Sequence, residues 1–288
     1  MIACQILQQS EHTAFERDLR SRMRPFYFGE PERRLFGVYD PPQASEVRDS
    51  SVVLCYPHGQ EYTYAFRAYR TPATRLAGAG FPVLRFDYLG TGDSASDIDD
   101  ISLRDWTTDI LVAVEEVRTC FHHSSVSLVG FRLGAALAAV AAAGCSEVDR
   151  LVLWDPVVEG SEYVARLQAC HREWFQDLVR VLPRARLLSV DDELLGYRFT
   201  ERLKTDIVSL SLRSLTRCPA RDVLIITQEK KSDYSALAGH LQKLGARVEI
   251  KLVESPSIWS MLPGMQKGLV PNRVLQQIVS WCGSPGNG

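Results

Sequence analysis

The chain lacks the features that would place it in a membrane, in the secretory pathway or on nucleic acid. Its longest apolar run, Leu133–Ala143, is about half the length needed to cross a bilayer. The first thirty residues contain Glu11, Glu16 and Asp18 and no continuous apolar core, so we expect no signal peptide. The formal net charge of −2 at pH 7 excludes the broad basic surface typical of a nucleic-acid-binding protein. We therefore expect a cytoplasmic protein with neither a membrane span nor a nucleic-acid partner.

The chain also lacks closely spaced pairs of cysteines, and it has few lysines. The seven cysteines are scattered, odd in number and free of any Cys-x-x-Cys pair, which is typical of reduced thiols and argues against a disulfide framework or a zinc site. We expect neither a metal nor a cofactor. Only six of the 33 basic residues are lysine, and we interpret the excess of arginine as a compositional habit, with one exception described below. The length of 288 residues is sufficient for one large α/β unit that needs no disulfide or metal to be stable.

The hydrophobic pattern changes its period repeatedly, which predicts alternating strands and helices. Two short aromatic runs within residues 25–41 flank a charged turn and predict a β-hairpin. Beyond it, apolar runs typical of buried strands alternate with helical spacings, and this alternation predicts a parallel sheet covered by helices on both faces. The predicted strands are Ser51–Tyr56, Pro82–Phe86, Val126–Val129, Leu151–Trp154, Val223–Thr227 and Val248–Val253, and the predicted helices are Ala68–Ala79, Leu103–Cys120, Arg132–Ala143, Tyr234–Leu244 and Asn272–Trp281.

This alternation stops between residues 157 and 216. There we predict helical segments over Glu162–Val181, Asp192–Leu195 and Glu201–Leu212, and no strand. A helical insert between two strands of a parallel sheet predicts a cap over the active-site loops. The predicted organisation is an N-terminal arm or helix (1–24), a core (25–156 and 217–283), a helical cap (157–216) and a flexible tail (284–288).

Five motifs follow one another in a recognisable order. They are His58-Gly59, Ala79-Gly80-Phe81-Pro82-Val83, the stretch from Arg85 to Ser94, Gly130-Phe131-Arg132-Leu133-Gly134, and the stretch from Leu151 to Pro156. In this order the chain resembles the α/β-hydrolase fold, and most nearly its serine-aminopeptidase and lysophospholipase-like branch, which includes exosortase-associated hydrolases. The resemblance covers roughly residues 25–283. It implies an α/β protein with a mostly parallel, doubly wound sheet and a helical cap inserted between the sixth and seventh strands.

Arg132 is the main departure from this family pattern. In the family, a strand leads through Gly-x-Ser-x-Gly into a helix, and the central serine is the nucleophile. Here both glycines are present, as Gly130 and Gly134, but the central residue is an arginine. A guanidinium stays protonated and has no lone pair with which to attack an acyl carbon. The serine-dependent acyl-enzyme route is therefore unavailable at this position.

The other two positions of the catalytic triad are also unusual. The resemblance implies a general-base histidine in the loop after the last strand, but that loop contains Trp259, and no histidine follows His240. The acid position in the preceding strand-to-helix loop offers Glu229 and Asp233, and some family members place the acid after the sixth strand, where this chain has Asp155. We therefore expect a hydrolase-like fold without a Ser-His-Asp triad.

An arginine at this turn would lie next to backbone N–H donors and a helix N-terminus, which all favour an anion. We therefore predict that a cleft floored by Arg132 takes a small acyl or carboxylate-bearing molecule, either free or bound to a carrier. An internal ion pair is the open alternative, with Asp155 as the expected partner ahead of Glu61, Asp87, Asp93 and Asp233. The candidate ligand-binding residues are Arg132, Phe131, Leu133, His58, Gly59, Tyr62, Asp155 and Trp259, of which Arg132, His58 and Asp155 are also candidates for catalysis.

Three functions remain open at this point. The chain could use the Arg132 cleft for serine-independent chemistry or binding, it could be a non-catalytic pseudo-hydrolase that binds a metabolite or a protein, or it could be an esterase, thioesterase or aminopeptidase with an unrecognised nucleophile. His58 could act as an acid or base, or could only brace its loop. Cys170 and His171 do not share a helix face, so we expect no dyad there. We interpret Asp87 as a turn-stabilising residue, and a homo-oligomer is compatible with the sequence.

Overall fold

The computed structural model describes residues 23–123, 125–182, 192–229, 232–255, 259 and 270–284. The predicted arm (1–24) and tail (284–288) lie almost entirely outside the described residues. The strands are β1 (Arg24–Phe28), β2 (Leu35–Asp40), β3 (Ser51–Cys55), β4 (Val83–Phe86), β5 (Val126–Phe131), β6 (Val148–Trp154), β7 (Glu193–Leu194), β8 (Tyr197–Arg198), β9 (Asp222–Thr227) and β10 (Arg247–Leu252). The helices are α1 (Gln60–Gly78), α2 (Leu103–Phe121), α3 (Leu133–Ala143), α4 (Gly160–Val181), α5 (Glu201–Val208), α6 (Ser232–Lys243) and α7 (Asn272–Gly283).

Eight of these strands form one sheet in the order β1-β2-β4-β3-β5-β6-β9-β10. The hairpin of β1 and β2 is antiparallel and joins β4 in the antiparallel sense, whereas the remaining pairs are parallel. The predicted hairpin and the predicted parallel sheet are thus both confirmed. The central strands β3 and β5 are buried along their whole length, as their continuous apolar runs indicate.

Helices cover both faces of the sheet. On one face, Trp106 of α2, Leu137 of α3 and Leu237 of α6 pack in a cluster with alternate residues of the strands. On the other face, Leu76 of α1 and Val274 of α7 pack with the intervening strand residues. The sheet is therefore doubly wound, as predicted. Among the described residues, no helix combines the length and the apolarity that a membrane crossing requires.

The segment between β6 and β9 contains α4, α5 and a short hairpin of β7 and β8. The prediction of a helix over Asp192–Leu195 was wrong, because this stretch enters the hairpin. Leu195 and Gly196 form its two-residue turn with φ angles of +58° and +82°, and two positive φ angles are typical of tight hairpin turns but incompatible with a helix. The division of the chain into a core and a separate cap stays a prediction.

The topology gathers the functional candidates at one edge of the sheet. Parallel strands all end at the same edge, so the loops that follow β3, β4, β5, β6 and β9 lie side by side. These loops carry His58, Asp87, Arg132, Asp155 and Gln228 respectively. A functional site is therefore expected at this edge.

Candidate functional site

Arg132 occupies a sharp turn between β5 and α3. Its φ of +53° and ψ of −118° are unusual for a residue with a side chain, and its N–H donates to the carbonyl oxygen of Trp154 at 3.0 Å. The flanking glycines are required by close approach: a Cβ at Gly134 would lie 2.3 Å from the carbonyl oxygen of Tyr56, and one at Gly130 would lie 2.4 Å from Cα of Ala135. The turn thus has the shape of a nucleophile elbow, with a guanidinium at its centre.

The guanidinium of Arg132 is held in a buried ion pair with Glu61 on the first turn of α1. Arg132 Nε donates to Glu61 Oε1 at 2.9 Å, and both side chains are only 6% exposed. Arg132 Nη1 donates to the backbone carbonyl of Asp155 at 2.8 Å. Burial acts to lower the pKa of Arg132, but Glu61, Tyr163 and Tyr234 together raise it, and the pKa lies above the ordinary value. Arg132 is therefore permanently charged and is neutralised from within the chain.

Two residues of α4 complete this cluster. The Tyr163 hydroxyl donates to Glu61 Oε2 at 3.0 Å, and Arg166 Nη2 lies 3.3 Å from Glu61 Oε1. The sequence predicts that Tyr163 packs the cap on the core or forms the apolar wall of a pocket, and it predicts no role for Arg166. The signal that could have found them is their spacing of three residues on one helix, which places both on the same face above the turn.

Asp155 does not pair with Arg132 through its carboxylate, so this expectation was wrong. Asp155 Oδ1 accepts the backbone N–H of Gln228 at 3.2 Å, and Asp155 Oδ2 accepts Nε1–H of Trp259 at 3.0 Å. The Asp155 carboxylate is thus engaged by other partners, and Asp155 contacts the Arg132 guanidinium only through its backbone carbonyl. Trp259 contacts the candidate acid as a triad histidine would, but an indole N–H only donates and cannot act as a general base.

The two neighbours of Arg132 in the chain are completely buried. Phe131 and Leu133 are both 0% exposed, and the Phe131 ring lies 5.4 Å from the Trp154 ring. The prediction that the Phe131 side chain lines a ligand cleft is therefore not supported, because its ring is in the core. Leu133 could reach a ligand only through its backbone N–H.

An open pocket of about 230 Å³ adjoins the ion pair. Arg132, Tyr163 and Arg166 line it, and so do Glu159, Glu162 and Asp233. Glu159 accepts a hydrogen bond from Arg213 Nε at 2.7 Å, and Arg166 is 47% exposed. Three acids and two arginines therefore share the pocket wall, and the charge of Arg132 is already paired with Glu61.

His58, Gly59 and Tyr62 line a different cavity, of about 280 Å³, which shares no lining residue with the Arg132 pocket. The His58 ring lies 5.0 Å from that of Trp106 and 4.8 Å from that of Phe199. Burial lowers the pKa of His58 to about 4, so the imidazole is neutral near pH 7. Its Nε2 lies 3.1 Å from the carbonyl oxygen of Arg198, to which only an N–H can donate. This geometry favours a brace over an acid or base.

A serine does contact a histidine elsewhere, between Ser51 Oγ and His123 Nδ1 at 2.9 Å. Ser51 begins β3, so it lies at the edge of the sheet opposite to Arg132, and it is 0% exposed. No substrate can reach a fully buried hydroxyl. This pair therefore offers no hidden nucleophile.

Comparison with known proteins places the chain in a family. The family model described as serine aminopeptidase, S33, matches residues 49–229. Among solved structures, the Pyrococcus furiosus esterase Pf2001 is 15% identical with a TM-score of 0.62, covering 92% of each chain. The protein Est1E from Butyrivibrio proteoclasticus, solved with ferulic acid bound, is 15% identical with a TM-score of 0.62 over 89% of this chain and 97% of its own.

A serine hydrolase homologue from Coxiella burnetii is 15% identical with a TM-score of 0.55, over 90% of this chain and 94% of its own. At such identities the solved structures show the fold alone. No curated protein sequence matches the chain significantly. Since the family model matches more than half of its residues, the chain belongs to the S33 serine aminopeptidase family and has the α/β-hydrolase fold.

Proposed function

We propose that this chain is a non-hydrolytic member of its family, which binds a small molecule through an acyl group in the pocket beside Arg132. The observation that carries the proposal is the buried ion pair of Arg132 and Glu61 at the elbow. A serine hydrolase needs a hydroxyl at this point and an imidazole beside it. Here a guanidinium and an indole, Trp259, occupy the corresponding loops.

The ion pair also stands at the turn where a serine hydrolase of this fold carries its nucleophile. Breaking it to admit a substrate would leave a charge unpaired in a buried site, which costs about 3–5 kcal/mol. Each partner is held by further hydrogen bonds, from Tyr163 to Glu61 and from Arg132 to the Asp155 carbonyl. A ligand is therefore expected to dock against the pair rather than to displace it.

The charges of the pocket favour a neutral acyl group over a free carboxylate. Arg132 and Arg166 share the single carboxylate of Glu61, so guanidinium N–H groups are available to a carbonyl oxygen. Glu162 and Asp233 lie on the same wall and repel an anion. An amide, ester or thioester carbonyl accepts the same hydrogen bonds without this repulsion.

Ester hydrolysis tests the catalytic half of the proposal. Purified protein should hydrolyse p-nitrophenyl butyrate no faster than buffer, and Arg132→Ser should be equally inactive because no imidazole accompanies the new hydroxyl. Saturable hydrolysis by the wild-type protein, abolished in Arg132→Ala, would show that the chain is a hydrolase with an unrecognised mechanism.

A matched pair of probes tests the binding half. Hexanamide should raise the Tm of the protein more than hexanoate does at equal concentration, because only hexanoate is repelled by Glu162 and Asp233. Glu162→Gln should narrow this difference, since it removes one of the repelling charges. A larger stabilisation by hexanoate would contradict the preference for a neutral acyl group.

A further inference from the structure

The cavity that contains His58 has properties unlike those of the Arg132 pocket. It lies between the loops after β3 and β4 and the hairpin strand β8. Its volume of about 280 Å³ is close to the lower limit of small-molecule sites, roughly 300 Å³. Because it shares no lining residue with the Arg132 pocket, what it binds does not depend on whether the elbow is catalytic.

Aromatic rings form a large part of the cavity wall. Tyr56 and Tyr62 lie with ring centroids 5.8 Å apart, and Phe86 and Tyr88 lie 5.0 Å apart. Tyr197 of the hairpin adds a fifth ring at the mouth. Such a wall attracts cations through the negative faces of the rings, and it attracts apolar groups through burial.

One carboxylate, that of Asp87, lies in this aromatic wall. Asp87 directly follows β4, and its carboxylate accepts a hydrogen bond from the backbone N–H of Asp93 at 3.2 Å. None of the described residues forms an ion pair with it. Burial raises the pKa of Asp87 above its usual range, although the Asp93 N–H and the more distant charge of Arg85 act to lower it. Arg85 is the nearest arginine in sequence, and it is engaged by Asp40 at 2.8 Å.

The other charged or titratable groups that line the cavity do not oppose a cation. Arg198 is neutralised by Asp99, with Nε–Oδ1 and Nη2–Oδ2 distances of 2.7 and 3.0 Å, and its Nη1 lies 3.4 Å from Asp192. His58 is uncharged near pH 7 because burial lowers its pKa to about 4. The net charge of the wall is therefore negative whenever Asp87 is ionised.

The loop that carries Asp87 is rigidly held. The Asp87 backbone donates to the carbonyl of Phe36 at 2.9 Å, and its own carbonyl accepts Ser94 Oγ–H at 2.6 Å. Gly92, at φ +53°, packs directly on the carboxylate, so that a Cβ there would lie 2.0 Å from Asp87 Oδ2. A carboxylate fixed in this way is preorganised, and a ligand would pay little entropy to engage it.

We infer that this cavity binds a small organic amine in its protonated form, with the ammonium group on the Asp87 carboxylate and the carbon skeleton among the tyrosine and phenylalanine rings. The ammonium N–H groups donate to the carboxylate, so the ligand supplies the direct ion pair that none of the described residues forms with Asp87. The rings around Tyr56 and Tyr62 cover the apolar part of the ligand and add cation–π attraction.

Calorimetric titration with phenethylamine tests this inference, with 2-phenylethanol as a neutral probe of the same size and phenylacetate as an anionic one. The amine should bind the wild-type protein about tenfold more tightly than the alcohol, and phenylacetate should bind more weakly than either. Asp87→Asn, which keeps the acceptor for the Asp93 N–H, should reduce the affinity for the amine to that for the alcohol.

A matched control comes from the same loop. Asp93→Asn removes one charge at an exposed residue that does not line the cavity, and it should reduce the affinity for the amine much less than Asp87→Asn does. Tyr62→Leu should reduce the affinity for the amine more than the affinity for the alcohol, because it removes an aromatic ring but little apolar surface. The inference is overturned if the amine does not bind, if the alcohol or phenylacetate binds as tightly, or if Asp87→Asn has no effect.

Discussion

Two cavities open at the same edge of the sheet, yet their chemistry is opposite. In the first cavity, the Arg132 guanidinium is already paired with Glu61 at 2.9 Å, and further acids line the same pocket. Around His58, aromatic rings enclose the single carboxylate of Asp87, with which no described residue forms an ion pair. The difference shows that the charge at the turn between β5 and α3 is already paired within the protein, whereas the carboxylate in the neighbouring cavity forms no ion pair with a described residue.

The largest expected effect is a difference in stability between two variants, each of which changes one carboxylate to an amide in one of the two cavities. Glu61→Gln leaves the buried Arg132 guanidinium without its counter-charge, and we expect it to lower the free energy of unfolding by about 3–5 kcal/mol. Asp87→Asn removes a charge that pairs with no described residue, and we expect a change below about 1 kcal/mol. Urea denaturation at pH 7 measures both.

A double variant is the control for this prediction. Combining Glu61→Leu with Arg132→Met removes both charges together and should cost much less than Glu61→Gln alone, because replacing a buried pair by apolar side chains is often close to neutral. Equal losses from Glu61→Gln and Asp87→Asn would contradict the contrast between the two cavities.

An intermediate effect is expected from pH, and only on the His58 side. Asp109 supports the loop after β4, where its Oδ2 accepts the N–H of Leu89 at 2.9 Å, and burial raises its pKa from 3.8 to about 7. The folded chain holds this proton more tightly than the unfolded chain. Its contribution to stability is therefore present below pH 4 and is lost as the pH rises to about 7.

His58 acts in the opposite sense, because burial lowers its pKa from 6.5 to about 4. Its contribution is present above pH 6.5 and is lost as the pH falls to about 4. The difference in unfolding free energy between wild type and Asp109→Asn should therefore fall between pH 4 and 7, by at most about 1.4 kcal/mol per pH unit. The difference between wild type and His58→Gln should rise between pH 4 and 6.5. Flat difference curves would show that neither group is buried as described.

The smallest effect is expected at the solvent side of the ion pair. Arg166 is 47% exposed and lies 3.3 Å from Glu61 Oε1, and exposed ion pairs contribute about 1 kcal/mol or less. Arg166→Gln should therefore change the Tm only slightly, while Glu61→Gln lowers it strongly. A loss with Arg166→Gln as large as that with Glu61→Gln would mean that Arg166 rather than Arg132 is the main partner of Glu61.

Most of the fold could be predicted from the sequence because its central strands, such as β3 and β5, are buried on both faces. Continuous apolar runs such as Ser51–Cys55 have few structural alternatives once helices alternate with them. The hairpin at Glu193–Arg198 was missed because a pair of two-residue strands is too short for a period to be recognised. Its signal is confined to the turn, where Gly196 follows Leu195, each with a positive φ.

The site was less predictable, because it depends on side-chain directions. Residue types alone identified Arg132 and its position at the turn, as well as Trp259 in place of an imidazole. They could not decide between Glu61 and Asp155 as the partner, since both acids follow strands at the same edge. The backbone of Asp155 decides which acid pairs with Arg132. Asp155 has a positive φ, and its backbone carbonyl, not its carboxylate, accepts the hydrogen bond from Arg132.

The central claim is that a guanidinium neutralised by Glu61 has replaced nucleophilic chemistry at the elbow. Intact-protein mass spectrometry after incubation with a fluorophosphonate tests it most directly, since such reagents phosphonylate an activated serine wherever it lies in the chain. The account predicts an unchanged mass for the wild-type protein and for Arg132→Ser. A stoichiometric mass increase of the wild-type protein, at a serine whose replacement by alanine prevents it, would contradict the account.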